Sequence, residues 1–187
     1  MFKKSLIAAL TLVAVNNAHA LTEIGVPGGT ITFNGSVTDT TCNVTTNNGA
    51  DFTVQLSPIT IASVGSDVGL VNEGSQAFTM AVSDCASTNE GATALKISFS
   101  SPNVSDDEKY LKNYSGSASG VGITLTSDGS TMIPFNKAYD TGLTKSDFAN
   151  EGESKNLTYY ANYYNFGGAD VTAGSVVTSA TYTFSYE

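Results

Sequence analysis

The stretch Ala180-Thr-Tyr-Thr-Phe-Ser-Tyr186-Glu187 at the end of the chain alternates large apolar and small polar residues without a break. A period of two puts Ala180, Tyr182, Phe184 and Tyr186 on one face of an extended strand and the hydroxyl residues on the other. Aromatic side chains at that spacing suit a half-buried pleated surface. The same period recurs upstream in Ile31, Phe33 and Val37, in Phe52, Val54 and Leu56, and in Phe78, Met80 and Val82. It returns in Leu95, Ile97 and Phe99, in Val121, Ile123 and Leu125, and in Leu157, Tyr159, Ala161 and Tyr163. Turn chemistry separates the runs at Asn47-Asn48-Gly49, Asn72-Glu73-Gly74, Asp128-Gly129, Glu151-Gly152 and Gly167-Gly168. No stretch carries a capped 3.6-residue period, although Lys145–Ala149 suits one short turn. About seven short strands without repeat or linker predict one antiparallel β-sandwich domain.

Composition narrows the chemistry. The 187 residues hold 8 basic and 17 acidic side chains, one His and no Trp. All the basic residues are Lys, and the single His is His19. Met1–Ala20 reads as a secretory signal: Lys3 and Lys4 at the start, an apolar run over Leu6–Val15, and Ala18-His19-Ala20 before a cleavage between Ala20 and Leu21. Its apolar run is too short for a bilayer, which needs about 20 residues. Without the leader six Lys face seventeen acids, a net charge of −11. That charge, with no basic cluster, argues against nucleic acid as a partner. A mature chain without His or Arg also lacks the parts of a Ser-His-Asp site and any imidazole metal ligand. No enzyme, metal, cofactor or small-molecule substrate is expected. Cys42 and Cys85 are the only cysteines. Secretion favours their union in a disulfide, because two thiolates alone make half a zinc site. Closing that loop is worth about 4 kcal/mol in the chain-entropy model. A bridge between the two sheets is the expected setting.

The two ends depart from the pattern. In Leu21–Thr30 the even positions Thr22, Ile24, Val26, Gly28 and Thr30 share one face, whereas from Ile31 the apolar parity is odd. A strand of period two cannot change faces without a break. At the other end the strongest strand finishes at Tyr186-Glu187 with nothing after it to pair with. An apolar segment detached at one end and an open edge at the other suggest that one molecule supplies what the next lacks.

These termini resemble those of chaperone–usher pilins, close to the major subunits of type 1 fimbriae. The matching stretches run from Val26-Pro-Gly-Gly to Cys42 and from Val171-Thr-Ala-Gly to Glu187, with Gly174 fourteenth from the end and Tyr186 penultimate. The resemblance implies an immunoglobulin-like sandwich lacking its last strand, completed by a donor strand from a neighbouring subunit. It divides the chain into a signal peptide (1–20), a donor extension (21–30) and the pilin domain (31–187). The donor positions would be Thr22, Ile24, Val26, Gly28 and Thr30. The groove would be bordered by Gly174, Val176, Thr178, Ala180, Tyr182, Phe184 and Tyr186. Gly28 suits a place where the donor backbone lies close to a shallow groove. Thr22 and Thr178 are polar where the family often places an apolar residue. The implied partners are other copies of the chain and related pilins, a periplasmic chaperone and an outer-membrane usher. The implied destination is the cell surface, reached through the periplasm, where the fimbria supports adhesion. A minor adaptor or terminator pilin is the alternative within the family.

Outside the family, the rival is a secreted carbohydrate-binding sandwich using Tyr159, Tyr160, Tyr163 and Tyr164. On a strand Tyr159 and Tyr163 face one way and Tyr160 and Tyr164 the other, so half core and half surface is the expectation. Ser105–Glu108 lacks the glycine and spaced carboxylates of a calcium loop. Gly116-Ser-Ala-Ser-Gly120 has Ala118 where a nucleophile elbow needs Ser. The sequons at Asn43, Asn103, Asn113 and Asn156 read as chance matches in a chain rich in Asn, Ser and Thr.

Overall fold

A computed structural model describes residues 29–35, 40–46, 49–87 and 91–187. The signal segment, its cleavage point and the donor positions Thr22, Ile24, Val26 and Gly28 lie outside the described residues, as do Asn47 and Asn48. In chain order the elements are β1 (Gly29–Gly35), β2 (Thr40–Thr45), β3 (Phe52–Leu56), α1 (Ile61–Val64), β4 (Gly69–Ser87), β5 (Ala94–Ser100), β6 (Val121–Thr126), β7 (Ala138–Thr144), β8 (Ser154–Asn165) and β9 (Val176–Tyr186). A 3-10 turn at Lys145–Phe148 stands where the short helical turn was expected. One sheet runs β3-β1-β9-β5-β7 and the other β2-β4-β8-β6. The protein is an all-β, immunoglobulin-like sandwich.

The alternation does its work where it is strongest. Along β9 every second residue from Val176 to Tyr186 is buried. β3 and β5 bury Phe52, Val54, Leu56 and Leu95, Ile97, Phe99 in the same way. Their side chains meet Met80, Val82, Ile123, Leu125 and Tyr159 from the second sheet in one core. Offset and edge-on aromatic contacts run through it, with Phe99 edge-on to Tyr159 at 5.6 Å and Phe52 against Phe78 at 5.6 Å.

Several expectations need correction. Cys42 and Cys85 are joined, but not across the sandwich. β2 and β4 are neighbours in one sheet, and the bond closes over the register shift between Thr41 and Asn43. Asn72-Glu73-Gly74 is no turn between strands. It is a bulge inside the nineteen-residue β4, where the register against β8 shifts between Val71 and Gln76. A Cβ on Gly74 would meet Ile59 Cγ2 at 2.6 Å, and its φ of +78° is one only glycine adopts readily. β2 and β7 are strands the alternation did not reveal: β7 is an edge strand with no fully buried residue, so its pattern is faint.

Tyr164 is not a surface residue. The segment after β5 crosses the outer face of the second sheet, where Leu111 and Ile123 exchange backbone hydrogen bonds of 2.7 and 3.0 Å. Tyr110 then stacks on Tyr164 at 4.7 Å and on Phe166 at 4.9 Å. With this cover β6 is buried on both faces. Gly122 permits the crossing, since a Cβ there would lie 2.4 Å from the Leu111 carbonyl oxygen.

Candidate functional site

β9, at the end of the sequence, lies inside its sheet. On one side β5 pairs with it antiparallel, Leu95 level with Tyr186 and Ser100 with Thr181. On the other side the edge expected to be open is covered by the chain's own β1. That pairing is parallel, from Gly29 level with Val176 to Gly35 level with Tyr182. β1 in turn pairs antiparallel with β3, Gly29 level with Leu56 and Phe33 with Phe52. The odd positions of β1 are thus level with buried residues of both neighbours. Thr30, expected among the donor positions, stands level with Gln55 and Val177, and the boundary drawn after residue 30 falls within this strand. An apolar edge of this length attracts the nearest strand-length segment, which accounts for the cover. β1–β9 is the one parallel pairing among the described strands, and parallel ladders are slightly weaker per residue.

The seat between β3 and β9 is an apolar slot. From β9 it is bordered by Val176, Thr178, Ala180, Tyr182, Phe184 and Tyr186, all buried. From β3 it is bordered by Phe52, Val54 and Leu56. The tyrosines bury their rings and place their hydroxyls on carbonyls: Tyr182 donates to Ala50 O at 2.8 Å and Tyr186 to Cys85 O at 3.3 Å. Burial pushes both phenols above their ordinary pKa, as it does that of Tyr159. Thr178 is the exception in the row. It is buried, and its hydroxyl has no hydrogen-bond partner.

Gly174 lies before the strand, not in it, and its role is one of space. A Cβ there would stand 2.4 Å from the Ala118 nitrogen and 2.5 Å from Ser117 Oγ. The loop 113–118 therefore packs directly on the entry to β9. Asn113 fastens the two, accepting from the N–H groups of Gly116 and Val177 at 2.9 Å each. Its amide donates to Ala118 O at 2.8 Å and to Ser175 O at 3.0 Å. The sequence marked Asn113 only as part of a sequon; nothing in it signalled this clamp. Where β9 begins, the slot opens into an apolar cavity of about 370 Å³ lined by Ile59, Ile61, Val64, Val171, Gly174 and Val176 among others. A wider opening of about 710 Å³ between β3 and β4 is lined by Thr45, Thr53, Gln55, Gln76 and Thr79, and no lining side chain there titrates. Among the described residues no group of three or more His, Cys, Asp or Glu could hold a metal ion. The arrangement holds a strand, β1, between β3 and β9.

The model of the family described as fimbrial protein matches residues 31–187. The chain belongs to that family. It is 31% identical over 183 residues to the type-1 fimbrial protein, C chain, of Escherichia coli, spanning 96% of this chain and 94% of that protein. To the major fimbrial subunit SMF-1 of Stenotrophomonas maltophilia it is 33% identical over 165 residues, 84% of this chain and 92% of the relative. Among solved structures the P pilus rod subunit PapA superposes with a TM-score of 0.55 at 19% identity, over 78% of this chain and 99% of that one. The structure of a chaperone–usher pilus does so with a TM-score of 0.56 at 16% identity, over 99% of this chain and 100% of that one. The protein is a structural pilin, a fimbrial subunit.

Proposed function

We propose that this pilin polymerises head to tail by donor-strand exchange through the slot between β3 and β9. The single observation that carries the proposal is the occupancy of that slot. Its walls are core side chains, yet its place is held by a seven-residue strand in the sheet's one parallel pairing. The even positions Thr22, Ile24, Val26, Gly28 and Thr30 of a neighbouring copy displace β1 and pair antiparallel with β9, the sense in which β5 already pairs. β-Strand addition of this kind takes affinity from main-chain hydrogen bonds and selectivity from alternate side chains. Because the donating and accepting surfaces differ, the contact is heterologous and grows an open filament.

A periplasmic chaperone fills the slot before assembly and an outer-membrane usher exchanges it for the donor. The product is a surface fimbria that supports adhesion, and the subunit carries no enzymatic activity. The rival sugar platform is weakened by Tyr110, which covers Tyr164. Deleting residues 21–28 leaves β1 intact and tests the proposal. Expected is a chaperone-bound monomer with no detergent-resistant ladder on unheated gels and no filament by electron microscopy. Ladders unchanged from wild type would refute donor-strand exchange.

A further inference from the structure

On the side away from the slot β9 changes partner along its length. β5 pairs with it from Tyr186 only as far as Thr181. Nearer its start the same edge is covered by the loop 113–118, which is not a strand. Tyr114 donates its N–H to Val177 O at 2.9 Å, and Ala118 donates to Ser175 O at 3.0 Å. The N–H groups of Ser117 and Ser175 each donate to the other's Oγ, at 3.2 and 3.1 Å. Asn113 completes the seam. Its Oδ1 accepts from Gly116 and Val177, and its Nδ2 donates to the carbonyls of Ala118 and Ser175. An Asn amide has two N–H donors and two acceptor lone pairs, so this one is fully used. Asp lacks the donors, and Gln carries the same groups one carbon farther out.

We infer that Asn113 is a positioning residue for strand capture: it holds the first residues of β9 so that Val176 and Thr178 wall the slot. The inference rests on the donor-strand reading and names the side chain that keeps the start of β9 ready for a strand. Both main-chain groups of Val177 are taken by Asn113 and Tyr114. Alternation along the strand then turns those of Val176 and Thr178 towards β1. Their side chains are buried in the row that borders the slot. The loop brings little apolar area of its own, since Tyr114, Ser115 and Ser117 are exposed. Hydrogen bonds therefore fasten it, and glycine allows the approach: a Cβ on Gly116 would stand 2.1 Å from Ser175 O. Losing the donors of Asn113 leaves the carbonyls of Ala118 and Ser175 one partner short and frees the start of β9, without touching the half that β5 holds.

Amide hydrogen exchange of the wild-type mature chain tests the positioning without any substitution. Gly116, Val177 and Thr178 should open as one unit, with protection equal within about tenfold. A Thr178 amide protected beyond that margin over Val177 would overturn the inference, because the start of β9 would then hold its place without the clamp. A second measurement reads assembly. Asn113→Asp keeps the size and both acceptors and removes the two donors. Its polymer should release subunits on warming about tenfold faster than wild type, as the loss of two ordinary hydrogen bonds implies. Thr124→Val is the comparison. It breaks a buried bond to Lys109 O on the outer face of the second sheet, and its polymer should release at the wild-type rate. Release at the wild-type rate from Asn113→Asp would overturn the inference. Equal acceleration in Thr124→Val would do so too, because release would then follow general stability. Failure of the donor strand itself reads differently: ladders would survive deletion of residues 21–28, and the role in strand capture would fall with it.

Discussion

The hydroxyl of Thr178 gives a test in which one substitution has opposite signs at two sites. Thr178 is 3% exposed on the central strand β9, and its Oγ1 meets no partner. Burying a hydroxyl without a hydrogen bond costs roughly 1–3 kcal/mol on mutational scales. Thr178→Val replaces that oxygen by a methyl group of similar size, so the native state should gain about 1–2 kcal/mol. Thr124 is the control. It is equally buried, on β6, but its Oγ1 donates to the Lys109 carbonyl at 2.6 Å. Thr124→Val leaves that carbonyl unpaired and should cost about 1–3 kcal/mol. Urea unfolding of the mature chain at neutral pH reads both values. For a domain of this size each kcal/mol moves the melting temperature by roughly 2–4 °C, so the two variants should separate by at least about 4 °C. If Thr178→Val loses as much stability as Thr124→Val, the account of the slot as an apolar row with one unsatisfied polar atom is wrong.

Other outcomes follow from the same geometry. Replacing Cys42 and Cys85 together by Ala opens a loop with a sequence separation of 43, and urea titration should show a loss of about 4 kcal/mol. Gly174→Ala drives a Cβ to 2.4 Å from the Ala118 nitrogen, and calorimetry should register a cost of about 1–3 kcal/mol. Asp128 is held well below the usual carboxylate range by the backbone N–H groups of Thr131 and Ser130 and then by their hydroxyls, and hydrogen bonds also lower Asp107, Asp140, Asp147 and Glu153. A pKa lower in the folded than in the unfolded chain means fewer protons bound when folded. The melting temperature should therefore hold near neutral pH and fall as pH drops below the unfolded value of about 4, less steeply in Asp128→Asn. Parallel acid limbs for that variant and wild type would exclude Asp128 from the effect.

What the sequence discloses depends on how local the cause is. Strands whose inner face is aromatic or β-branched, such as Phe52–Leu56 and Val176–Tyr186, announce themselves because burial and spacing coincide within a few residues. β2 and β7 stay hidden because their inner faces are thinly apolar. The bulge at Asn72–Gly74 reads locally as a turn, and only the long pairing with β8 turns it into an irregularity of one strand. Tyr164 reads as exposed because its cover, Tyr110, arrives from 54 positions away. In the slot, the row on β9 is legible from alternation. The cavity at its head, the clamp at Asn113 and the presence of β1 beside β9 are long-range products of topology. Asn113 carries no local mark because two of its four partners, Ser175 and Val177, lie more than sixty positions away.

The order of the five-stranded sheet has a consequence for how the slot can be observed. β3 has one neighbour within that sheet, and it is β1. Whenever the slot stands empty, the β3 backbone groups that face β1 lose every ladder partner and turn to water. The alternate amide hydrogens of β3 that face β1 therefore act as a built-in gauge of occupancy: slow to exchange while any strand sits in the slot, fast during each vacancy, with no label added to the subunit.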